Sequence, residues 1–289
     1  MKRKRFFKFL IIGVALLVLI LVVRSFTTKG GQFGDKVAVV EIIGAISKSD
    51  KSIEQIHRFR DDQTVKAIVV RIDSPGGSVG AVQEIHTELA KLEKPVVASM
   101  GNTAASGGYY IACAADQIVA NRGSITGSIG VILRFMKLEG LYEKVGLEDQ
   151  VVKSGEFKDT GSPGRGLTDA ERALLQDTID DVHSQFVDAV FEGRKAHLAR
   201  EEIAALADGR IFSGQQALDY KLLDVLGNLP DAIELAGTLS GISGKPKVIR
   251  DKRKVPLIER LLGNTSQQNL GRLLSGPGIS FRYEFDLGD

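Results

Sequence analysis

The chain has 289 residues, of which 43% are apolar and 26% are charged, an ordinary balance for a globular protein. Its formal net charge is +2, but residues 1–29 hold seven Lys or Arg and no acidic residue. The rest of the chain is therefore acidic, and the charge gives no indication of a nucleic-acid partner. A single cysteine, Cys113, excludes an internal disulfide framework, and its apolar surroundings predict core packing.

The N-terminal residues have the pattern of a membrane anchor. Residues 1–8 are basic and are predicted to lie in the cytoplasm, because positive residues stay on that side of a membrane. Residues 9–26 are predicted to form a single transmembrane helix, although the clean apolar run of 9–23 is short for one. A cleaved signal peptide is the alternative, but residues 23–26 lack the small side chains of a cleavage site. Residues 27–35 are predicted to be a polar linker.

Strands alternate with helices in the first part of the body, which is predicted to span residues 36–250. Short β-branched runs predict strands, and apolar residues at helical spacing predict helices between them. The alternation is typical of an α/β fold with a largely parallel sheet covered on both faces. The predicted strands are 37–43, 65–72, 95–100, 118–120, 129–133 and 150–153, and the predicted helices are 52–59, 79–92, 106–114 and 138–145.

The second part of the body is predicted to be helical. Thr168 and Glu171 form a capping-box pattern at the start of a long helix that ends near Gly193. Shorter helices are predicted at residues 200–207, 215–220 and 230–239. Residues 251–289 are basic at first and then rich in Gly, Ser, Gln and Asn. We therefore expect a loosely packed C-terminal tail.

The first of two glycine-rich turns covers residues 73–80 (DSPGGSVG) and joins a strand to a helix. The paired Gly76 and Gly77 allow a sharp turn and can direct backbone N–H groups at a bound anion. Such donors suit an oxyanion hole or a phosphate site. No Gly-Lys-Ser/Thr follows, so the turn is not a P-loop, and the spacing is wrong for a dinucleotide fingerprint. A plain tight turn is the alternative.

The second turn covers residues 101–110 (GNTAASGGYY) and also joins a strand to a helix. Ser106 lies among small residues where the helix is predicted to begin. A nucleophile at this point is presented on a turn, beside helix-start N–H groups and the positive end of the helix dipole. The arrangement is similar in logic to a nucleophile elbow. The alternative is that Ser106 is only an N-cap.

A serine nucleophile needs a base, and the four histidines do not supply an evident one. None of them lies in a glycine-rich turn at a strand end, and no histidine pair has metal-ligand spacing. A lysine can act as the base where burial favours its neutral form. Lys158 is the candidate, because it lies in a glycine-flanked loop after a predicted strand. The residues alone leave open that Lys158 is a solvated surface lysine.

Several motifs together resemble the signal peptide peptidase A family in its short, single-repeat form. The resemblance covers about residues 37–239, and its marks are 73–78 (DSPGGS), 105–110 (ASGGYY), 126–131 (TGSIGV), 154–159 (SGEFKD), 208–214 (DGRIFSG) and 223–227 (LDVLG). It implies a Clp-protease/crotonase-like spiral of ββα units.

The resemblance also implies roles for individual residues. Ser106 would be the nucleophile and Lys158 the general base. Gly77 and Gly107 would offer oxyanion N–H groups, with Gly76 shaping the turn. Ser128 would hydrogen-bond the lysine, unless it only satisfies a local turn.

The family implies a serine endopeptidase that degrades remnant signal peptides and uses no metal or other cofactor. It further implies a homo-oligomer whose catalytic sites are shared between protomers. The expected location is the bacterial cytoplasmic membrane, with a single pass and the catalytic domain on the extracytoplasmic side. Two alternatives come from other classes, a crotonase-like acyl-CoA enzyme and a non-catalytic membrane scaffold.

Overall fold

A computed structural model describes residues 34–251 and 282–284 of the chain. Its centre is an eight-stranded sheet in the order β7-β6-β4-β2-β1-β9, with β5 paired to both β4 and β8. Two further strands, β3 and β10, pair with each other. The strands are β1 (Lys36–Ile43), β2 (Val65–Ser74), β3 (Gly76–Ser78), β4 (Val96–Ala105), β5 (Gln117–Ala120), β6 (Ile125–Gly127), β7 (Ile211–Ser213), β8 (Val225–Leu226), β9 (Lys247–Arg250) and β10 (Arg282–Glu284).

Helices cover both faces of this sheet. They are α1 (Asp50–Asp61), α2 (Val79–Ala90), α3 (Gly107–Ala112), α4 (Glu139–Val145), α5 (Asp169–Arg194), α6 (Arg200–Leu206), α7 (Gly214–Asp219) and α8 (Leu229–Leu239). The capping box predicted for the long helix is present, because Thr168 accepts from the Glu171 N–H while Glu171 accepts from the Thr168 N–H. The two reciprocal bonds satisfy donors that would otherwise lack partners at the start of α5.

The central strands are apolar on both faces because each face has its own core. Along β1, Ala38 and Val40 belong to the larger cluster, which includes residues of α1, α2, α3 and α5. Val37 and Val39 point to the opposite cluster, together with Ala232 and Ala236 of α8. Every pair in the sheet is parallel except β6 with β7. The predicted α/β class with a largely parallel, doubly covered sheet is therefore confirmed.

Two predicted strands are wrong. Residues 129–133 and 150–153 do not form strands of the sheet. Val151 and Val152 are exposed, so the second run is not a buried strand but an apolar stretch on the surface of the single chain. Residues 129–133 follow β6 without extending it; Ile129 is buried, and its carbonyl accepts a hydrogen bond from the Gly209 N–H.

The predicted membrane anchor at residues 9–26 lies outside the described residues, as do the basic segment 1–8 and most of the linker. Among residues 34–251 and 282–284, no helix is both long and apolar enough to cross a membrane. The expectation of a loosely packed tail fails for residues 282–284. They form strand β10, in which the Tyr283 side chain is fully buried.

Candidate active site

The two glycine-rich turns are neighbours because they follow adjacent parallel strands. Strands β2 and β4 pair in parallel, so their carboxyl ends meet at the same edge of the sheet. Asp73, at the end of β2, accepts a hydrogen bond from the Thr103 N–H at 3.1 Å and another from the Asn102 side chain at 3.1 Å. These bonds fix one turn against the other.

Ser106 occupies the junction between β4 and α3 with an unusual backbone conformation. Its φ is 53° and its ψ is −119°, a region that non-glycine residues rarely adopt and that is common at functional sites. Its N–H donates to the Gly127 carbonyl at 2.8 Å, and its carbonyl accepts from the Tyr110 N–H at 2.9 Å. The side chain is thereby held at the start of the helix.

The Ser106 hydroxyl is buried. The residue is only 1% exposed, and its Oγ has no hydrogen-bond partner within the part of the chain that the structure describes. An unpaired buried hydroxyl costs about 1–3 kcal/mol, so a protein retains one where it serves a purpose. A nucleophilic role, in which the hydroxyl pairs with a base and a substrate, would account for it.

The glycines beside Ser106 leave space that any side chain would fill. Gly76 has a φ of +105°, and a Cβ there would lie 1.8 Å from the Tyr283 carbonyl oxygen and 2.8 Å from the Gly107 nitrogen. A Cβ at Gly107 would lie 3.2 Å from the Gly76 Cα, and one at Gly77 would lie 2.0 Å from the Ile46 oxygen. The Gly107 N–H is the first of helix α3 and has no intrahelical acceptor. The structure therefore brings Gly76 close to Gly107, the residue that follows Ser106, whereas an added Cβ at Gly77 would meet Ile46.

Ser128 follows Gly127, the residue whose carbonyl binds the Ser106 N–H. Its own N–H donates to the Arg210 carbonyl at 2.8 Å. Like Ser106, it is buried and has a positive φ, here 51°. Ser128 is thus one residue away from the carbonyl that binds the Ser106 N–H, and its supporting role stays a prediction.

Lys158 is not brought to Ser106 within the single chain. Its side chain is exposed, and the Ser106 hydroxyl has no partner among the described residues. The carboxylate of its neighbour Asp159 accepts hydrogen bonds from the Lys153 Nζ at 2.6 Å and from the Arg165 Nε at 3.0 Å.

Arg165 also donates to Glu171 at the start of α5, and Thr160 donates to the same carboxylate at 3.1 Å. The Arg165 guanidinium holds the pKa of Glu171 at about 2, with further bonds from Thr168 and Thr160 acting in the same direction. These bonds anchor the Lys158 loop to the body.

Cys113 and His57 lie outside the two glycine-rich turns. Cys113 is buried as predicted, and burial raises the pKa of its thiol to about 12. His57 pairs with Glu88 at 2.5 Å. No cluster of His, Cys, Asp and Glu within residues 34–251 and 282–284 could hold a metal ion.

An aromatic pocket next to the turns was missed by the sequence analysis. Tyr110 stacks on Tyr283 with ring centroids 5.2 Å apart, and Phe186 lies 4.7 Å from the same ring. His86 meets Tyr110 edge-on at 4.9 Å, and burial lowers the His86 pKa to about 4. Phe186 lies on the predicted long helix, but no local sequence pattern indicates that its partner is a residue of the tail.

A strained, buried serine at a strand-to-helix turn, with glycine N–H groups beside it, is an arrangement suited to acyl transfer. The protein is a serine peptidase. It belongs to peptidase family S49, whose sequence profile matches residues 88–243. The profile of the NfeD1b N-terminal domain matches residues 39–135 as well.

Three relatives illustrate the similarity. A Synechocystis protein that carries a protease name is 47% identical over 80% of this chain and 84% of its own length. An Enterococcus faecium protein that carries the name signal peptide peptidase SppA is 34% identical, over 72% of this chain and 64% of its own. The chloroplastic serine protease SPPA of Arabidopsis thaliana is 34% identical over 87% of this chain, but only 37% of its own length is covered.

Proposed function

We propose that the chain is a membrane-anchored serine endopeptidase that degrades remnant signal peptides through a Ser106–Lys158 dyad. The observation that carries this proposal is the Ser106 hydroxyl, which is buried on a strained turn and has no partner among the residues that the structure describes. The two glycine turns at the same sheet edge give it the environment that an attacking hydroxyl requires. In this proposal the fold is a Clp-protease/crotonase-like spiral of ββα units.

The reaction follows from the proposed roles. Neutral Lys158 takes the Ser106 proton while Oγ attacks the peptide carbonyl carbon. The N–H groups of Gly77 and Gly107 stabilise the oxyanion, each contributing about 3 kcal/mol to lowering the barrier. The protonated lysine then gives its proton to the leaving amine, and water releases the acyl group by the reverse route. No metal or other cofactor takes part.

The base is proposed to come from a neighbouring copy of the chain. Support comes from the contrast between Ser106, which is buried and has no hydrogen-bond partner for its hydroxyl among residues 34–251 and 282–284, and Lys158, which is exposed. The segment that precedes Lys158 exposes an unusual set of large apolar side chains, which a second copy would cover. They are Met136, Leu141, Val145, Leu147, Val151, Val152 and Phe157.

The bonds of the Lys158 loop support the same assignment. A base that reaches into another protomer must be held firmly, and Asp159 is tied through Arg165 to the first turn of α5. Ser128 is proposed to receive the incoming lysine by a hydrogen bond, because it is one residue away from the carbonyl that binds the Ser106 N–H. A homo-oligomer would thus complete each site only on assembly, which protects folded secreted proteins from cleavage.

The proposed location is the bacterial cytoplasmic membrane. The basic residues 1–8 would remain in the cytoplasm, and residues 9–26 would cross the bilayer once. Residues 36–250 would then work on the extracytoplasmic side, where cleaved signal peptides remain after secretion. Anchoring keeps the enzyme next to a substrate that is itself apolar and membrane-bound.

The experiment that tests the proposed nucleophile is labelling with a serine-directed fluorophosphonate. The wild-type protein should be labelled at Ser106, identified by peptide mass spectrometry, and should lose its peptidase activity in step. Ser106→Ala should be neither labelled nor active, while Ser124→Ala, which changes another buried serine near β6, should keep both properties. An acyl-CoA enzyme or a scaffold would not need this hydroxyl. A wild-type protein that remained unlabelled and kept its peptidase activity would contradict the proposal.

A further inference from the structure

Strand β4 carries a bulge shortly before Ser106. Its register with β2 runs one to one as far as the pair Ile72 and Met100. Pairing resumes at Ser74 and Ala104, so a single residue of β2 faces three residues of β4, 101–103. Extra residues of this kind leave the strand pairing and redirect the side chains that follow, and bulges are frequent next to active sites.

The bulge also marks the point where β4 changes its neighbour on the side away from β2. Residues 97–99 of β4 pair with β5, and residues 103–105 pair with β6. The end of β4 leads directly into Ser106, whose N–H donates to the Gly127 carbonyl at the end of β6 at 2.8 Å. The geometry of the bulge therefore decides where Ser106 lies relative to the first glycine turn, which continues from β2.

The Asp73 carboxylate fills the bulge. One of its oxygens accepts from the Thr103 N–H at 3.1 Å, and the other accepts from the Asn102 side chain at 3.1 Å. The carboxylate thus replaces the backbone acceptor that regular pairing with β2 would give to the Thr103 N–H. A Cβ at Gly101 would lie 2.7 Å from the Asp73 Cγ, so the absent side chain of Gly101 is what admits the carboxylate. The Asp73 backbone is itself fixed, because its carbonyl accepts from the Gly44 N–H at 2.9 Å.

The contact between Asp73 and Thr103 lies equally close to both glycine-rich turns along the chain. Two residues separate Asp73 from Gly76, and two separate Thr103 from Ser106. The first of these paths is held by Ser74, a buried residue whose hydroxyl accepts from the Gly76 N–H at 3.1 Å. A shift at the Asp73 carboxylate would therefore change the distance between the Ser106 hydroxyl and the glycine turn opposite it.

We propose that Asp73 is a positioning residue for the reaction at Ser106, and that its carboxylate in the β4 bulge sets the place of the nucleophile against the first glycine turn. Asp73 acts through the Thr103 N–H and not by contact with the reacting atoms. The inference rests on the proposed function, because it needs Ser106 as the nucleophile. A displacement of about 1 Å can cost about 100-fold in rate, so loss of the carboxylate lowers kcat and changes substrate binding little.

Kinetics of Asp73→Ala in the assembled full-length protein test this role, with a fluorogenic apolar peptide as the substrate. We expect kcat to fall by about 10- to 100-fold while KM stays within about threefold of wild type. The rate of fluorophosphonate labelling at Ser106 should fall in proportion to kcat.

The matched control is Asp62→Ala, at the opposite end of β2. The Asp62 carboxylate accepts from the Thr64 N–H at 2.8 Å, so this variant also loses a bond between a carboxylate and a backbone N–H. It should lower the free energy of unfolding and leave kcat unchanged. If kcat fell no further in Asp73→Ala than in Asp62→Ala, the inference would be overturned, and labelling of wild type at Ser106 would leave the proposed function standing. A wild-type protein that is not labelled at Ser106 overturns both.

Gly101→Ala tests the same contact without removing a hydrogen-bonding group, and it serves equally if Asp73→Ala does not fold. Gly101 does not have a positive φ, so alanine is not strained there by its own backbone, but its Cβ would displace the Asp73 carboxylate. We expect kcat to fall by about tenfold or more. In the Asp73→Ala background the same substitution should change kcat by less than about twofold, because the group that it would displace is gone.

Asp73→Asn completes the series, because it keeps an oxygen that can accept from the Thr103 N–H. It should recover most of the kcat lost in Asp73→Ala. Two results would refute the assigned role: effects of Gly101→Ala and Asp73→Ala that simply multiply in the double variant, or an Asp73→Asn enzyme as slow as Asp73→Ala.

Discussion

Replacing Gly76 by alanine probes the space between the two glycine turns directly. Gly76 has a φ of +105°, where an L-residue is strained by about 1–3 kcal/mol. The added Cβ would also lie 2.8 Å from the Gly107 nitrogen, in the space proposed for the oxyanion. Loss of one oxyanion contact costs about 10²–10³ in kcat, so we expect Gly76→Ala to lower kcat/KM by at least about 100-fold.

Gly80→Ala is the matched control for this substitution. Gly80 lies on α2 and does not have a positive φ, and no atom of residues 34–251 or 282–284 lies within 4 Å of an added Cβ. Alanine in a helix should raise the free energy of unfolding by about 0.5–1 kcal/mol and leave activity unchanged. The assays are peptide hydrolysis and urea unfolding of both variants. If Gly76→Ala were as active and as stable as Gly80→Ala, the assignment of this space to the oxyanion would be wrong.

Two further predictions concern the bonds that hold the Lys158 loop. Arg165→Lys keeps the positive charge but loses the paired hydrogen bonds to Asp159 and Glu171. Because a small displacement of Lys158 would lower the rate of the chemical step, kcat should fall by about tenfold or more. The control is Arg200→Lys, which changes an exposed arginine paired with Asp188 and should be as active as wild type. If the two variants were equally active, Arg165 would not position the Lys158 loop. The second prediction follows from the pKa of Glu171, which is lowered to about 2 from an ordinary value of 4.5. The ionised Glu171 carboxylate stabilises the fold fully above pH 4.5, and this contribution is lost as the pH falls towards 2. Glu171→Gln should therefore lower the free energy of unfolding at pH 7, and should lose less of that free energy than wild type does between pH 4.5 and 2. If the difference in unfolding free energy between variant and wild type stayed the same across that window, the Arg165–Glu171 pair would not be stabilising.

Much of the fold could be predicted from the sequence because its central strands are buried on both faces. The β-branched runs of β1 and β2 are stable only where both faces of the strand are buried in the core. The capping box at Thr168 marks the start of α5 through local hydrogen bonds. The same reasoning failed at residues 129–133 and 150–153. Apolar side chains there do not enter the sheet, and Val152 is fully exposed in the single chain.

The site could be predicted only in part, for a similar reason. Glycine turns after adjacent parallel strands indicate where the proposed nucleophile and the proposed oxyanion glycines meet, since topology brings these strand ends together. The aromatic pocket depends on Tyr283 meeting Tyr110 and Phe186, which lie far away along the chain. The glycine- and serine-rich composition of the tail concealed a buried strand, and no local pattern specifies such a contact.

The central claim is that Ser106 of one protomer works with Lys158 of another, and mixing two inactive variants tests it most directly. Ser106→Ala and Lys158→Ala should each be inactive alone and should fold like wild type. When the two are unfolded together and co-assembled, some interfaces join an intact Ser106 to an intact Lys158. We predict that peptidase activity and fluorophosphonate labelling return in part. Verified mixed oligomers without any activity would contradict the shared site.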